Sequence, residues 1–338
     1  MTLADLQNQL IPEIEMGLRD FVNSHEFGRS AELQAMITYH MGWADDEDTE
    51  ASRGKRIRPL LVLLSAGACD GTIQNAMPAA LAIELLHNFT LIHDDIEDRS
   101  PLRHGRPTLW QRWGIAQAVN AGDALFSIAQ LAMLVLSDTC SPEIAAQAAR
   151  HLNQICLQLT RGQFLDIAFE DDNEIEIETY LDMIHGKTAA LIAFSAAVGG
   201  IVSGQHQETV NRLSIYGESL GLAFQIQDDY LGIWGDPQVT GKSAASDLMA
   251  RKKTLPILFG LEKCADFKTL WSQTELKTGD IDQMSELLAA CGAQEYVREQ
   301  AATFTQQAFT SLEMLFPNPN EYARALQELS QKLLHRDN

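Results

Sequence analysis

Apolar residues recur at three- and four-residue spacing over long windows of this chain, at 60–68, 79–92, 116–136, 144–159 and 188–202. That period is the repeat of one helix face. The apolar–polar alternation of a half-buried strand is rare, and no convincing hairpin signal or strand–helix alternation appears. The spacing therefore predicts an all-α protein, a helical bundle, and argues against a parallel sheet. Breaks fall where helices should stop: the acidic stretch 44–50 running into Ser52-Arg53-Gly54, the segment 100–107, Ser141-Pro142 with Ser141 as N-cap, and 170–173. The longest irregular stretch, 232–256, holds two prolines and three glycines and has the length of a lid or binding loop. No compositional shift marks a boundary, so we expect one domain over 1–338.

Composition narrows the function. The 338 residues are 46% hydrophobic, enough for a large core, and 25 basic against 46 acidic residues give a net charge of −21. That balance argues against a general binder of nucleic acid or anionic membrane. An anionic substrate would need strong local countercharge from Lys, Arg or a metal. Five cysteines without CxxC spacing indicate neither a disulfide framework nor a zinc cluster, and suit free, mostly buried thiols in a reducing cytoplasm. Residues 1–19 lack a basic start followed by an apolar run, and no uncharged apolar stretch reaches the ~18 residues of a membrane span. We expect a cytoplasmic protein with no transmembrane segment.

Two acidic clusters carry the chemistry: His93-Asp94-Asp95-Ile96-Glu97-Asp98 and Gln225-Ile226-Gln227-Asp228-Asp229-Tyr230, each closing an apolar helical run. Asp94 and Asp98 are four apart, so both carboxylates project from one helix face, mildly repelling unless a cation lies between. Hard oxygens on a rigid element suit Mg²⁺, which shares the oxygens of a phosphorylated substrate. Either cluster alone reads equally as a solvated helix end. The scarce basic residues, however, gather beside Gly or Pro: Gly54-Lys55-Arg56-Ile57-Arg58-Pro59, Leu102-Arg103-His104-Gly105-Arg106-Pro107-Thr108, Gly186-Lys187-Thr188, Gly241-Lys242 and Arg251-Lys252-Lys253. Acidic metal sites with separate basic sites describe a pocket for Mg-bridged diphosphates.

With Glu84-Leu85-Leu86-His87, Gly162-Gln163 and Phe224-Gln225-Ile226-Gln227-Asp228-Asp229 added in order, the chain resembles a trans-isoprenyl diphosphate synthase of the polyprenyl synthetase family. The resemblance implies a single large helical bundle around a central cavity, the isoprenoid synthase fold, with the two aspartate motifs facing each other at its mouth. It implies a homodimer that condenses isopentenyl diphosphate with an allylic diphosphate. Carried over, Asp94 and Asp98 would hold two Mg²⁺ ions and Asp228 a third, with Asp95 and Asp229 assisting. Arg103, Lys187, Thr188, Gln225, Lys242 and Lys252 would grip the allylic diphosphate, and Lys55, Arg58, His87 and His104 face the isopentenyl diphosphate. Gln163 and Asp166 would line the cavity near the metals. His93 reads as a packing histidine, since Mg²⁺ prefers oxygen.

Two departures from the family pattern stand out. His104 takes the place of a second arginine, which predicts weaker or pH-dependent binding of isopentenyl diphosphate unless Arg106 substitutes. Gly232 takes the place of the last aspartate of the second motif, with Asp236 the next candidate. Phe89 and Thr90, one turn before the first motif, resemble the floor of a geranylgeranyl-type pocket, so the expected product is C20, with C15 and C25 as neighbours. Two other readings stay open: a terpene cyclase-like lyase, against which Lys55, Arg58 and His87 speak, and a non-catalytic partner subunit, which would lack one aspartate motif.

Overall fold

Thr2 starts the first helix of the computed structural model by a reciprocal cap. The Asp5 amide donates to its hydroxyl at 3.2 Å, and its own amide donates to the Asp5 carboxylate at 2.9 Å. The structure describes residues 1–25, 30–44, 54–172, 174–236, 245–273 and 279–334. The chain divides into two compact units. One comprises Met1–Asn153, Ser195–Asn211 and Asn318–Leu326; the other comprises Gln154–Phe194, Arg212–Pro317 and Gln327–Asn338.

In the first unit α1 (Leu3–Asn23) buries Leu3, Leu6, Leu10, Ile14, Leu18 and Val22, one stripe at helical spacing. α2 (Ala31–His40) follows, then α3 (Ile57–Ala68), which is buried from Pro59 through Ala68. Pro59 falls in the first turn of α3, where no amide donor is needed. α4 (Ile73–Glu97) is alanine-rich and buried on most sides, which lets α6 (Ile115–Leu134) pack along it after the short α5 (Leu109–Trp113). α7 (Leu136–Thr139) then leads into α8 (Pro142–Asp171).

Between α4 and α5 lies a feature the sequence did not announce: an antiparallel hairpin of β1 (Leu102–Arg103) and β2 (Arg106–Pro107). His104 (φ +52°) and Gly105 (φ +76°) are both left-handed, as a type I′ two-residue turn requires. Strands of two residues are too short to show alternation, and histidine stands where asparagine or aspartate would signal the turn.

The second unit contains α9 (Ile177–Ile184), a π-helical turn at His185–Ala189, the first residues of α10 (Ala190–Val202), which belongs to the first unit from Ser195 on, and the long α11 (Gln207–Trp234) from Arg212 on. Then come α12 (Ser246–Met249), α13 (Leu255–Lys263), α14 (Ala265–Trp271), α15 (Asp280–Ala290) and α16 (Ala293–Leu315), and the chain closes with α17 (Glu321–Leu334). One core of this unit gathers Phe169, Tyr180, Met183, Ile184, Leu222, Ile226 and Leu258; another gathers Ile233, Leu248, Ile257, Phe267 and Met284.

Two expectations need correction. The irregular stretch 232–256 is shorter than the sequence implied: Gly232 belongs to α11, Ser246–Met249 is helical and Pro256 lies in α13, while 237–244 fall outside the described residues. Of the five cysteines, all free, only Cys69 is fully buried and the other four are half-buried. Two helical stretches, Ile115–Thr139 and Ile177–Val202, have the length and hydropathy of a span once one or two charges are allowed. The apolar window of the second is 83% buried and that of the first 44%.

Candidate active site

In the first unit the end of α4 presents the first aspartate cluster. Asp98 caps the helix, its amide donating to the Asp94 carbonyl at 2.8 Å, so Asp94 and Asp98 stand one turn apart, half-buried and exposed respectively. Asp95 points inward and is only 3% exposed. Arg103, on the hairpin, holds it: Nε donates to both carboxylate oxygens at 2.9 and 3.0 Å, and Nη2 lies 2.8 Å from Oδ1. Burial lifts the Asp95 pKa, and the Arg103 guanidinium opposes that lift. The same Nη2 is 4.0 Å from Asp94 Oδ2, so Arg103 bridges the cluster.

A second group of basic residues surrounds the start of α3. Arg56, in the left-handed region at φ +47°, sends its guanidinium into the core, 2.5 Å from Glu15 Oε1 and 2.6 Å from Glu84 Oε1. Anchored there, it sets Lys55 at the surface and Arg58 in the first turn, where Arg58 Nη1 donates to His87 Nε2 at 3.1 Å. His87 accepts this bond as a neutral ring. Burial, and then the charges of Arg58, Arg103 and Arg56, hold its pKa well below the usual histidine value. Burial, and then the charges of Arg103, Arg56 and Arg106, hold His40 at about 3. One turn before Asp94, the Phe89 ring lies against Phe126 (centroids 5.1 Å) and His93 (4.7 Å), and Thr90 Oγ1 donates to the His87 carbonyl at 2.7 Å. A side chain at Gly122 on α6 would collide with His93, at 2.4 Å.

His104 sits at the tip of the hairpin, where partial loss of solvent around the ring and then the charge of Arg103 lower its pKa, so it is neutral at pH 7. Arg106 lies over the Tyr39 ring (4.1 Å to the centroid) and donates to the Tyr39 carbonyl at 2.9 Å. The arginine expected as a substitute for position 104 thus packs on α2.

The second unit builds its site on close backbone contact. A Cβ on Gly162 would lie 2.2 Å from the Lys187 amide nitrogen, and one on Gly186 would lie 3.0 Å from the Gly162 Cα, so α8 and the π-helical turn touch main chain to main chain. π-Turns of this kind recur at functional sites. One turn beyond Gly162, Asp166 meets the Lys187 ammonium in an ion pair. α11 makes a similar approach, with Gly217 against Ala193 and Gly221 against Ala189, both Cβ-to-Cα clearances under 3 Å. The next turn of α11 brings Gln225 Oε1 to the Thr188 hydroxyl at 2.9 Å.

Asp229 is 2% exposed and accepts from the Tyr180 hydroxyl, from Gln225 Nε2 at 3.2 Å and from the Leu255 amide at 3.2 Å. Burial outweighs these donors and pushes its pKa up to about 7. Asp228, one residue earlier, is half-exposed. Desolvation works against the Lys252 ammonium, but Asp166, Asp229 and Asp247 together raise its pKa. The expected ligand Lys242 lies outside the described residues.

The donors fit a hard cation that brings its own oxygens. Among the described residues no three His, Cys, Asp or Glu side chains converge closely enough to enclose a metal. Asp94 and Asp98 instead offer accessible carboxylates on one helix end, as Mg²⁺ requires when water and phosphate oxygens complete its shell.

The polyprenyl synthetase family pattern matches residues 47–291. The chain belongs to the polyprenyl synthetase family. It is 38% identical over 312 residues to a geranylgeranyl diphosphate synthase of Mycobacterium tuberculosis, covering 90% of this chain and 87% of that protein. To a (2E,6E)-farnesyl diphosphate synthase of Mycobacterium bovis it is 37% identical over 314 residues, covering 90% and 86%. The crystal structure of a polyprenyl synthetase from Streptomyces coelicolor A3(2) is similar at a TM-score of 0.88 and 31% identity, over 98% of this chain and 99% of that one.

Within this polyprenyl synthetase, the first unit brings together Asp94, Asp95, Asp98 and Arg103, and separately Arg58 and His87. The second brings together Lys187, Thr188, Gln225, Asp229, Lys252 and Asp166. Sequence reasoning missed Tyr180, which carries no motif of its own, and gave Arg56 no role. For Arg56 the only sequence signal was its place between Lys55 and Arg58, directly before an apolar helical run.

Proposed function

We propose that this trans-prenyltransferase joins isopentenyl diphosphate to an allylic diphosphate of five to fifteen carbons and releases chiefly the C20 product, geranylgeranyl diphosphate. The observation that carries the reading is the Arg58–His87 pair with Lys55 beside it, a basic site separate from the aspartates. A condensing enzyme handles two diphosphates and needs both kinds of site; a lyase ionises one and needs no second basic site.

Asp94, Asp98 and Asp228 would hold Mg²⁺, three ions in all, and Mg²⁺ when bound neutralises the diphosphate so that it can leave. Arg103, Lys187, Lys252 and Lys242 hold the same diphosphate as fixed donors, and Thr188 and Gln225 orient it. The allylic C–O bond breaks with its electron pair on pyrophosphate. The double bond of isopentenyl diphosphate then forms the new C–C bond, and pyrophosphate takes the proton lost from C2. Neutral His87 keeps Arg58 in place for the diphosphate of isopentenyl diphosphate. On this reading Phe89, whose ring packs on Phe126, floors the apolar pocket that must exclude water from the cation.

The protein acts as a homodimer in the cytoplasm on this reading. In support, α6 exposes Ile115, Leu131 and Leu134, the 154–171 part of α8 exposes Leu157, Phe164 and Ile167, and the five thiols are free. The test is a product assay: purified protein, Mg²⁺, labelled isopentenyl diphosphate and each of dimethylallyl, geranyl and farnesyl diphosphate, with products sized by mass spectrometry. A C20 product is expected. Pyrophosphate or hydrocarbon release without incorporation of isopentenyl diphosphate would favour the lyase.

A further inference from the structure

Gly232 follows Asp228 by one turn in α11, inside a helix where alanine would be the better former. Space explains the glycine. A Cβ built on Gly232 would lie 2.2 Å from Asp247 Oδ2, 2.5 Å from its Cγ and 2.9 Å from Oδ1. The Asp247 carboxylate therefore stands where a side chain at 232 would begin, and 232 is the position from which the second motif lacks its last aspartate. The alternative, Asp236, is exposed and lies beyond the end of α11. Local bonds fix the placement: Ser246 Oγ donates to the Gly232 carbonyl at 3.4 Å, and the Lys252 amide donates to the Asp247 carbonyl at 2.9 Å. Asp247 is thereby tied both to the turn of α11 that follows Asp228 and to the segment that carries Lys252.

We propose that Asp247 supplies the third carboxylate of the second aspartate motif, and that residue 232 is glycine in order to admit it. The proposal rests on the reading of Asp228 as a Mg²⁺ ligand for a diphosphate. Asp247 is a positioning residue: its charge beside that turn of α11 strengthens retention of the metal–diphosphate and orients the Lys252 ammonium.

Calorimetric titration of Mg²⁺ with inorganic pyrophosphate, with the Mg²⁺ dependence of synthase rate alongside, tests it on the full chain. Asp247→Asn and Asp247→Ala should weaken Mg²⁺–pyrophosphate binding by about 10- to 100-fold, the usual loss when an outer-shell partner of a metal site is removed. Gly232→Ala should do the same while its Tm stays level or rises, because only the tip of a flexible side chain is displaced and alanine favours the helix. A purely structural glycine would give the opposite pattern, with stability lost and binding kept. The exchange variant Gly232→Asp with Asp247→Ala should recover most of the binding lost by Asp247→Ala. Wild-type binding in Asp247→Asn, or an exchange variant no better than Asp247→Ala, overturns the proposal. A wild-type protein that binds Mg²⁺–pyrophosphate but makes no prenyl product would refute the synthase reading alone, and the titrations would still decide Asp247. A wild type that binds no Mg²⁺–pyrophosphate removes both.

Discussion

Replacing Arg56 by methionine should destabilise the first unit by about 3–5 kcal/mol, the loss typical when one partner of a buried ion group is removed. The guanidinium is 2% exposed, and its two carboxylate partners, Glu15 and Glu84, are 8% and 5% exposed. At an effective dielectric near 20, two such contacts contribute roughly 8 kcal/mol of gross attraction. Several kcal/mol of that is offset by the desolvation of the arginine itself, which the variant recovers. Among the described residues, the two carboxylates left behind keep one neutral donor each, the Trp43 indole at 3.0 Å from Glu15 and the Asn88 amide at 3.0 Å from Glu84. Arg56→Lys keeps the charge but cannot fork to two carboxylates, so it should fall between. The informative variant combines Arg56→Met with Glu15→Gln and Glu84→Gln. It removes every charge from the cluster and should recover much of the loss. Urea unfolding followed by circular dichroism reads these differences as midpoint shifts at constant slope. A single variant within ~1 kcal/mol of wild type, or a triple variant no better than the single, would refute the view that the pairing of these three charges holds the start of α3.

Further outcomes follow from the same geometry. Asp229 binds a proton in the folded state up to about pH 7, whereas an ordinary aspartate loses it near 3.8. Between those values the folded state holds the extra proton, so its contribution to stability is full below the lower value and is lost as pH rises through the upper one. Urea midpoints without Mg²⁺ at pH 5 and 8 should show this loss in wild type and not in Asp229→Asn. His104 has a lowered pKa and is neutral at pH 7, and its charged form is the one that attracts a diphosphate. KM for isopentenyl diphosphate should therefore fall on acidification, and His104→Arg should lower it about tenfold at pH 7.5, the worth of one charge-assisted hydrogen bond, and flatten its pH profile; an unchanged KM would exclude position 104 from that site. Phe89→Ala should shift the product beyond C20, and an unaltered product distribution would remove Phe89 from the floor.

Much of the fold was legible because helical periodicity needs no tertiary information: the apolar windows of α3, α4 and α6 and the ends of α4 and α8 can be read from spacing and punctuation. The hairpin was not, since its two-residue strands leave no pattern and its turn begins with histidine. The π-helical turn was not either. It lies where Gly162 meets Gly186, residues 24 positions apart, and nothing in either local sequence states that they touch. The glycines were visible as motif members, but their reason is steric: they bring two main chains together so that Asp166 can meet Lys187.

The aspartate pairs show most clearly what a motif conceals. Successive residues on a helix point about 100° apart, so two adjacent aspartates cannot serve one metal equally. In both pairs the second member is turned inward and the first left accessible. Asp95 is 3% exposed under Arg103, whereas the Asp94 side chain is 23% exposed. Asp229 is 2% exposed under Tyr180, whereas Asp228 is half-exposed. An inward carboxylate is costly unless donors meet it, and each pair has recruited its own, an arginine from a hairpin and a tyrosine from α9. The inward aspartate thus fixes the helix end and a donor beside it, and on the proposed reading the outward aspartate is the one that meets the cation. On that reading, doubling the residue separates holding the site from being the site, and the difference is invisible in a string that reads Asp-Asp both times.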